Sequence, residues 1–160
     1  MELGRAGHAY CIRNNLESDL VVASSTIDLY GSCGRLEYAQ KVFNFSTSKN
    51  LDLWNALISA HAQHRLCGEA LKLFYQMQLE GVPPNVISWN SVILGFLRNG
   101  QVYEAEDWLS EMQMNGFNPN LYTWTNFIFG LVQNGYDCEA IQFFVQMQST
   151  GLRPSPLFKV

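Results

Sequence analysis

The chain has 160 residues, of which 48% are apolar and five are proline, and its formal net charge is −4. This composition is typical of a folded chain, and since no run of 18 or more apolar residues occurs, no membrane span is predicted. The acidic balance argues against unselective binding of polyanions, because such binding depends on Lys and Arg.

Residues 1–19 are predicted to form one helix followed by a turn. Leu3, Ala6 and Tyr10 recur at helical spacing, which favours a helix over roughly Glu2–Asn14. Because no partner helix precedes it, we expect this segment to be the second half of a hairpin. The start of the chain lacks the features of a signal or transit peptide, so we expect either a cytosolic protein or a piece of a longer chain.

Residues 20–50 form a shorter unit with two predicted helices, about Val22–Ser32 and Leu36–Phe43. Cys33-Gly34 lies between them. Glycine ends a helix readily because it adopts the left-handed conformation at low cost.

From Leu51 onward the sequence repeats with a period of 35 residues. The residues that keep this period include Trp54/Trp89/Trp124, Glu69/Glu104/Glu139, Met77/Met112/Met147, Gly81/Gly116/Gly151 and Pro84/Pro119/Pro154. A fixed period of roughly 20 to 50 residues is typical of a solenoid. The sequence therefore predicts units at 51–85, 86–120 and 121–155, and the start of a truncated unit at 156–160.

Each 35-residue unit is predicted to be a hairpin of two helices. In the first unit we expect helices over about Leu53–His64, with Asp52 as N-cap, and about Gly68–Leu79, ending at Gly81. The following units repeat this with Ser88 and Thr123 as N-caps and with second helices that end near Met114 and Ser149.

The repeated apolar residues are predicted to be core residues. We expect the three tryptophans to pack between helices rather than to stack on a ligand, and the methionine series to be core as well. The fold class predicted from the period is an all-α solenoid.

The sequence predicts no metal site, no cofactor and no catalytic centre. Its four cysteines are far apart and lack the clustered spacing of zinc ligands, so we expect buried or half-buried reduced thiols at Cys11, Cys33, Cys67 and Cys138. His61 and His64 lack the glutamate of a metalloprotease motif and are expected to be surface or interface residues.

Charge is divided between the two halves of the units. From each tryptophan onward the first halves carry Arg65 and Arg98 and no acid. The acids of the second halves are Glu69, Glu104, Glu106, Asp107, Glu111, Asp137 and Glu139. One face of the solenoid is therefore expected to be much less acidic than the total charge suggests.

Two known helical repeats come close to this unit. Trp54-Asn55-Ala56-Leu57 begins like a tetratricopeptide repeat, but Ile58 stands where that pattern has glycine. The units instead resemble pentatricopeptide repeats, through Ser88-Trp89-Asn90-Ser91-Val92-Ile93, Gly100, Glu104-Ala105, Met112 and Gly116-Phe117-Asn118-Pro119-Asn120. The resemblance implies a right-handed superhelical α-solenoid.

The unequal unit lengths resemble the mixed P, L and S motifs of the plant PLS subclass. Residues 1–19 resemble the second helix of an L motif, residues 20–50 an S motif, 51–85 and 121–155 P motifs, and 86–120 a P or L motif. Two successive 35-residue units after 51–85 depart from a regular P-L-S order. The subclass implies a role in cytidine-to-uridine editing of organellar transcripts, in the chloroplast or alternatively the mitochondrion.

The resemblance extends to partners and to alternative functions. The chain has no HxE…CxxC deaminase signature, so it is expected not to be catalytic and to depend on a deaminase or accessory factor supplied in cis or in trans. An RNA stabilising or processing factor is one alternative, and a tetratricopeptide-like protein-binding scaffold is another.

The family resemblance also implies which residues recognise bases. Such repeats recognise one base each through two or three side chains, and the family places the main ones at the fifth and last positions of each unit. Carried over, the pairs are Ser24 with Asn50, Asn55 with Asn85, Asn90 with Asn120, and Thr125 with Ser155. The implied target in single-stranded RNA is 5′-A-Y-Y-R-3′, with the last base the least defined.

The second residue of each unit is implied to pack between successive bases. These residues are Val21, Asp52, Ile87 and Tyr122. Asp52 departs from the usual apolar type, because a carboxylate stacks poorly and repels phosphate. The unit that contains Asn55 is therefore expected to bind its base more weakly.

Overall fold

The computed structural model describes residues 20–152, which form eight α-helices and no β-strand. The helices are α1 Leu20–Ser32, α2 Leu36–Phe45, α3 Leu51–Gln63, α4 Cys67–Leu79, α5 Val86–Arg98, α6 Val102–Met114, α7 Leu121–Gln133 and α8 Asp137–Ser149. The predicted all-α class is confirmed. The helix predicted before residue 20 and the unit predicted after residue 155 lie outside the described residues.

The helices are arranged as four consecutive hairpins in two layers. The first helices α1, α3, α5 and α7 pack side by side, and each second helix packs on the first helix of its own hairpin. Helices α2 and α4 also contact the first helix that follows them. Each hairpin thus buries its apolar face against its neighbours, which is how a solenoid forms a core without a single centre. Within 20–152 no helix is long and apolar enough to span a bilayer.

Each of three first helices has a glycine in close contact with the neighbouring first helix. The contacts pair Gly31 with Ala60, Gly95 with Ala62, and Gly130 with Leu97. A Cβ atom added at Gly31 would lie 2.7 Å from Cβ of Ala60, and one added at Gly130 would lie 2.9 Å from Cβ of Leu97. Both distances are too short for carbon atoms, so the spacing of the first-helix layer depends on these glycines.

Side chains from the next hairpin bind the carbonyl groups at the ends of the first helices. Arg98 Nη1 donates to the Gln63 carbonyl oxygen at 3.0 Å, and Asn134 Nδ2 donates to that of Leu97 at 2.9 Å. His64 Nε2 lies 2.6 Å from the Gly31 carbonyl oxygen, so His64 is an interface residue. The last carbonyl groups of a helix lack α-helical partners, and here the adjacent unit adds a hydrogen bond to three of them, two of which also accept from a backbone N–H of the turn that follows the helix.

The repeated apolar residues form the core, as predicted. Trp54, Trp89 and Trp124 are at most 4% exposed, and the methionines at 77, 112 and 147 are buried as well. The three indole Nε1 atoms are buried without a hydrogen-bond partner. Packing alone therefore holds the tryptophans, and none of them is available to stack on a base.

Two of the cysteine predictions are wrong. Cys33 and Cys138 are exposed free thiols, because Cys33 lies in the turn after α1 and Cys138 in the first turn of α8. Cys67 is half-buried, as predicted, and its Sγ atom donates to Gln101 Oε1 at 2.9 Å. Cys11 lies outside the described residues.

A left-handed residue follows each first helix. Gly34, Gly100 and Gly135 have φ between 70° and 82°, whereas the corresponding residue in the second hairpin is Arg65, with φ of 63°. A side chain in this conformation costs roughly 1–2 kcal/mol. Arg65 is therefore a strained substitute for the glycine of the other hairpins.

We expect Arg65→Gly to raise the free energy of unfolding by about 1 kcal/mol, because it removes the left-handed strain. Urea denaturation monitored by circular dichroism measures the change. The matched control Lys72→Gly, at an exposed position within α4, should lower the free energy of unfolding by about 1 kcal/mol. Destabilisation by both substitutions would contradict strain at Arg65.

We expect Gly130→Ala to destabilise the chain by about 1–3 kcal/mol through overpacking against Leu97. In an open helix the same change stabilises by roughly 0.5–1 kcal/mol, so Gly68→Ala, with nothing near its added Cβ, is the control. In a Leu97→Ala background the loss should be smaller but not abolished, because the contact with Leu97 Cδ1 at 2.8 Å is removed whereas the contact with Cβ at 2.9 Å remains. An equal loss in both backgrounds, measured by urea denaturation, would exclude the steric explanation.

Candidate nucleic-acid interface

An asparagine caps the first helix of each of the last three described hairpins. Asn50 Oδ1 accepts from the Leu53 backbone N–H at 3.1 Å, Asn85 Oδ1 from that of Ser88 at 3.1 Å, and Asn120 Oδ1 from that of Thr123 at 2.9 Å. Asparagine is a favoured N-cap because its side-chain oxygen satisfies amide groups that the helix leaves free. These asparagines are also the last residues of the units predicted from the sequence.

The predicted N-caps Asp52, Ser88 and Thr123 are therefore wrong. The helices begin earlier than predicted, so Asp52 is the second residue of α3 and Ser88 the third residue of α5. Ser88 Oγ accepts from the Asn85 backbone N–H at 3.1 Å, and Thr123 Oγ1 accepts from that of Asn120 at 3.1 Å. Each hydroxyl completes a capping box instead of starting the helix.

The structure brings one predicted base-recognising pair into direct contact. Asn55 Nδ2 donates to Asn85 Oδ1 at 3.2 Å. Asn55 lies in the first half of α3 and is 6% exposed, while Asn85 precedes α5 and is half-buried. The side-by-side packing of α3 and α5 thus places the start of one first helix beside the cap of the next.

The second asparagine pair is arranged differently. Asn90 is 8% exposed, and its Oδ1 atom is buried without a hydrogen-bond partner. Asn120 is exposed, and its Oδ1 accepts from the backbone N–H and the hydroxyl of Thr123. No hydrogen bond joins Asn90 to Asn120 within the described part of the chain.

The two predicted hydroxyl residues bond to their own helices. Ser24 Oγ donates to the Val21 carbonyl oxygen at 3.1 Å, and Thr125 Oγ1 donates to that of Leu121 at 2.7 Å. Bonds of this kind are local alternatives for Ser and Thr side chains in helices. No hydrogen bond joins Ser24 to Asn50, and the predicted partner of Thr125, Ser155, lies outside the described residues.

The residues predicted to pack between bases are exposed at the starts of the first helices. Val21 is 72% exposed, Ile87 57% and Tyr122 60%, and Asp52 is exposed as well. Each is the second residue of its helix. Exposed apolar side chains thus recur at one end of the first-helix layer.

Within residues 20–152 most of the acidic residues of the helices lie on the second helices. The first helices carry the carboxylates Asp28 and Asp52, and α7 has no charged residue. Partial burial raises the pKa of the Asp28 carboxyl, which disfavours its charged form. Second helix α6, by contrast, carries four acids, Glu104, Glu106, Asp107 and Glu111. A polyanion would therefore meet less repulsion on the first-helix layer.

A cavity of about 360 Å³ lies on the other layer, between α4 and α6. Its lining is Phe74, Tyr75, Gln78, Trp89, Asp107, Trp108, Glu111 and Asn115. None of the predicted base-recognising residues contributes to it. Across the described helices and turns, no group of three or more His, Cys, Asp and Glu side chains is placed to hold a metal ion.

The residue that the sequence analysis missed is Ser88. Its Oγ atom donates to Asn55 Oδ1 at 2.6 Å, across the boundary between two hairpins. The available signal was the N-x-x-S pattern of Asn85 and Ser88, which is compatible with a capping box. That pattern does not show which neighbouring side chain the hydroxyl contacts.

The caps Asn50 and Asn85 should differ in their contributions to stability. Asn85→Ala removes the acceptor for two backbone N–H groups, of Ile87 and Ser88, and for Asn55, so we expect a loss of about 2 kcal/mol, at the upper end for an N-cap. Asn50→Ala removes the acceptor for one N–H group and should cost about 0.5–1 kcal/mol. Urea denaturation of both variants measures the difference, and equal losses would contradict the shared network at Asn85.

Comparison with known proteins agrees with this geometry. A family model described as a PPR repeat matches residues 21–51, 52–82 and 122–152, and one described as a PPR repeat family matches residues 84–133. Together they cover most of the chain.

The similar curated proteins are pentatricopeptide repeat-containing proteins of Arabidopsis thaliana. A chloroplastic one is 54% identical over 86 residues, which are 54% of this chain and 10% of that protein. A mitochondrial one is 39% identical over 88 residues, which are 55% of this chain and 12% of that protein. The matched region thus spans about a tenth of these relatives.

Among solved structures, the pentatricopeptide repeat protein PPR10 in complex with an 18-nucleotide psaJ RNA element is 31% identical, with a TM-score of 0.81. The match covers 86% of this chain and 21% of PPR10. The PPR domain of Arabidopsis thaliana protein-only RNase P 1, at 16% identity and a TM-score of 0.66, shares the fold. This chain belongs to the pentatricopeptide repeat family.

Proposed function

We propose that the chain binds single-stranded RNA with sequence selectivity and is a segment of a site-recognition factor for organellar cytidine-to-uridine editing. The observation that carries this proposal is the contact between Asn55 and Asn85, beside the exposed Ile87. Two amides and an apolar side chain at one place suit a single base, which offers polar groups at its edge and an apolar face. Similarity to PPR10, solved with RNA, supports the same ligand class.

The unpartnered oxygen of Asn90 supports a ligand at the second asparagine pair. A buried acceptor without a partner costs roughly 1–3 kcal/mol. Because this atom is buried, an N–H group of a base would reach it only after the Asn90 side chain rotated toward the surface, and the new hydrogen bond would then remove that cost. Binding would thus be favoured at a position where the free protein leaves a polar group unsatisfied.

The proposed target is 5′-A-Y-Y-R-3′, with one base for each first helix in chain order. Ser24 with Asn50 would recognise the adenine, the two asparagine pairs the pyrimidines, and Thr125 with Ser155 the final purine. Val21, Ile87 and Tyr122 would pack between successive bases. Asp52 would weaken the contact at the base facing Asn55, because its exposed carboxylate repels phosphate.

The editing role rests on the unit lengths and on the resemblance to the PLS subclass. Residues 1–19 as a partial L motif, 20–50 as an S motif and 51–85 as a P motif support it. A deaminase or accessory factor would act in cis or in trans, since the proposed contribution of this chain is recognition rather than catalysis. We propose the chloroplast as its location and the mitochondrion as the alternative, because relatives of both kinds are similar.

A second candidate function is RNA stabilisation or processing without editing. The two consecutive 35-residue units 86–120 and 121–155 favour it, because a regular P-L-S order would include a shorter unit. Both candidates use the same RNA-binding surface. They differ in whether a deaminase acts together with this surface, and sequencing the coding region downstream of residue 160 tests for a deaminase domain supplied in cis.

The affinity of four units should be low. Stacking contributes roughly 1–3 kcal/mol for each base, and association costs roughly 4–15 kcal/mol in lost freedom. Binding by this chain alone is therefore best followed by NMR titration, which detects weak complexes.

We expect Asn90→Thr to shift the preference at the base facing Asn90 from pyrimidine toward purine, because a hydroxyl replaces an amide with a different donor and acceptor pattern. NMR titration with short RNAs that differ at this base measures the change. The matched control Asn44→Thr, at an exposed position of second helix α2, should leave the preference unchanged. A uniform loss of affinity for all the RNAs would mean that Asn90 is a structural residue.

A further inference from the structure

The hydroxyl of Ser88 lies between the two asparagines of the preceding unit. Ser88 Oγ is 2.6 Å from Asn55 Oδ1 and 3.2 Å from Asn85 Oδ1, and Ser88 is fully buried. It also accepts from the Asn85 backbone N–H at 3.1 Å. One residue at the start of α5 therefore contacts both members of the pair proposed to recognise the first pyrimidine.

Backbone N–H groups determine which side-chain atoms of this network donate hydrogen bonds and which accept them. Asn85 faces the backbone N–H groups of Ile87 and Ser88 with its side-chain oxygen, at 3.0 and 3.1 Å, because only the oxygen of an amide can accept. Asn55 must then approach that oxygen with its Nδ2 atom. Its Oδ1 consequently faces Ser88, whose single hydroxyl proton is donated at the shorter distance, 2.6 Å.

The resulting contacts fix the orientation of the Asn55 amide. The Asn55 nitrogen donates to Asn85 and the Asn55 oxygen accepts from Ser88. An Asn55 amide rotated by half a turn would lose both hydrogen bonds. One N–H of Asn55 Nδ2 and both N–H groups of Asn85 Nδ2 keep no hydrogen-bond partner in the described residues. The pair therefore presents donors to an incoming base.

The equivalent network one unit later lacks this contact. Thr123 Oγ1 forms the same capping box with Asn120, accepting from its backbone N–H at 3.1 Å and donating to its Oδ1 at 3.0 Å. Asn90 Oδ1, however, is left without a partner. No hydrogen bond within the described residues therefore fixes the orientation of the Asn90 amide.

We propose that Ser88 is a positioning residue that sets the base specificity of the preceding unit, an inference that rests on the proposed RNA-binding function. It acts through Asn55, whose fixed orientation leaves donors toward the base. Cytosine presents two adjacent acceptors, N3 and O2, whereas uracil presents a donor at N3 between two acceptors. The Asn55 pair therefore prefers cytosine to uracil, and the Asn90 pair accepts both.

The first experiment examines the protein without RNA. NMR spectra of the full chain report the side-chain amide groups of Asn55 and Asn90. In Ser88→Ala the Asn55 side-chain resonances should shift and exchange faster with solvent, and in the matched Thr123→Ala the Asn90 side-chain resonances should not change. Unchanged Asn55 resonances in Ser88→Ala would overturn the proposed contact, whatever the result with RNA.

The second experiment measures base preference by NMR titration with short RNAs of the form 5′-A-Y-Y-R-3′. We expect the wild type to bind cytosine about fivefold more tightly than uracil at the base facing Asn55, the effect of one hydrogen bond. Ser88→Ala should lower this ratio, because Asn85 alone then holds the Asn55 amide, and Ser88→Thr, which keeps the hydroxyl, should retain most of it. Thr123→Ala should leave the ratio unchanged at both pyrimidines.

The outcomes separate the two proposals. A wild-type chain that shows no base preference at any position would contradict the proposed function, while the spectra without RNA still decide whether Ser88 orients Asn55. A wild type that prefers cytosine, together with a Ser88→Ala variant that keeps the same ratio, would overturn the positioning role alone. Loss of the cytosine preference at the base facing Asn55 in Thr123→Ala as well as in Ser88→Ala would also overturn the positioning role, because Thr123 bonds Asn120 and not the Asn55 pair.

Discussion

The constraint on which the surface depends is the shared use of one amide oxygen at the boundary between two hairpins. Asn85 Oδ1 accepts from the backbone N–H groups that begin α5 and also from Asn55 on α3. A helix start needs such an acceptor, so the position of Asn85 is determined by the fold. Because α3 and α5 pack side by side, Asn85 also lies within hydrogen-bond distance of Asn55. The same side-chain oxygen of Asn85 therefore caps α5 and holds the contact between the two amides.

The packing of the first helices extends this arrangement along the chain. Gly31, Gly95 and Gly130 allow neighbouring first helices to approach closely, and this places their capped N-termini in a row. Ile87 and Tyr122, each the second residue of its helix, are exposed. Acidic residues of α6 lie on the second layer, away from that row. Spacing, exposure and charge thus favour the same surface for RNA.

Much of the fold could be predicted from the sequence, because a period of 35 residues repeats its glycines, tryptophans and methionines at fixed positions. The helix starts could not be located correctly. Asn85 and Ser88 are both good N-caps, and only the backbone geometry shows that the first caps α5 and the second completes the box. The exposed thiols of Cys33 and Cys138 were missed because cysteine is usually buried. The contact of Ser88 with Asn55 depends on the direction of a hydroxyl, which spacing does not specify.

The boundary network also bears on how such units are counted. A unit defined from first helix to last residue contains Asn55 and Asn85 but not Ser88, whose hydroxyl holds Asn55. Two units with the same pair of asparagines then have different hydrogen-bonding states, since Asn55 is held and Asn90 Oδ1 is not. If the amide orientation governs which base edge is accepted, the specificity of a unit includes the third residue of the unit that follows. Transfer of a hairpin to another array would then preserve its base preference only where that residue is transferred with it.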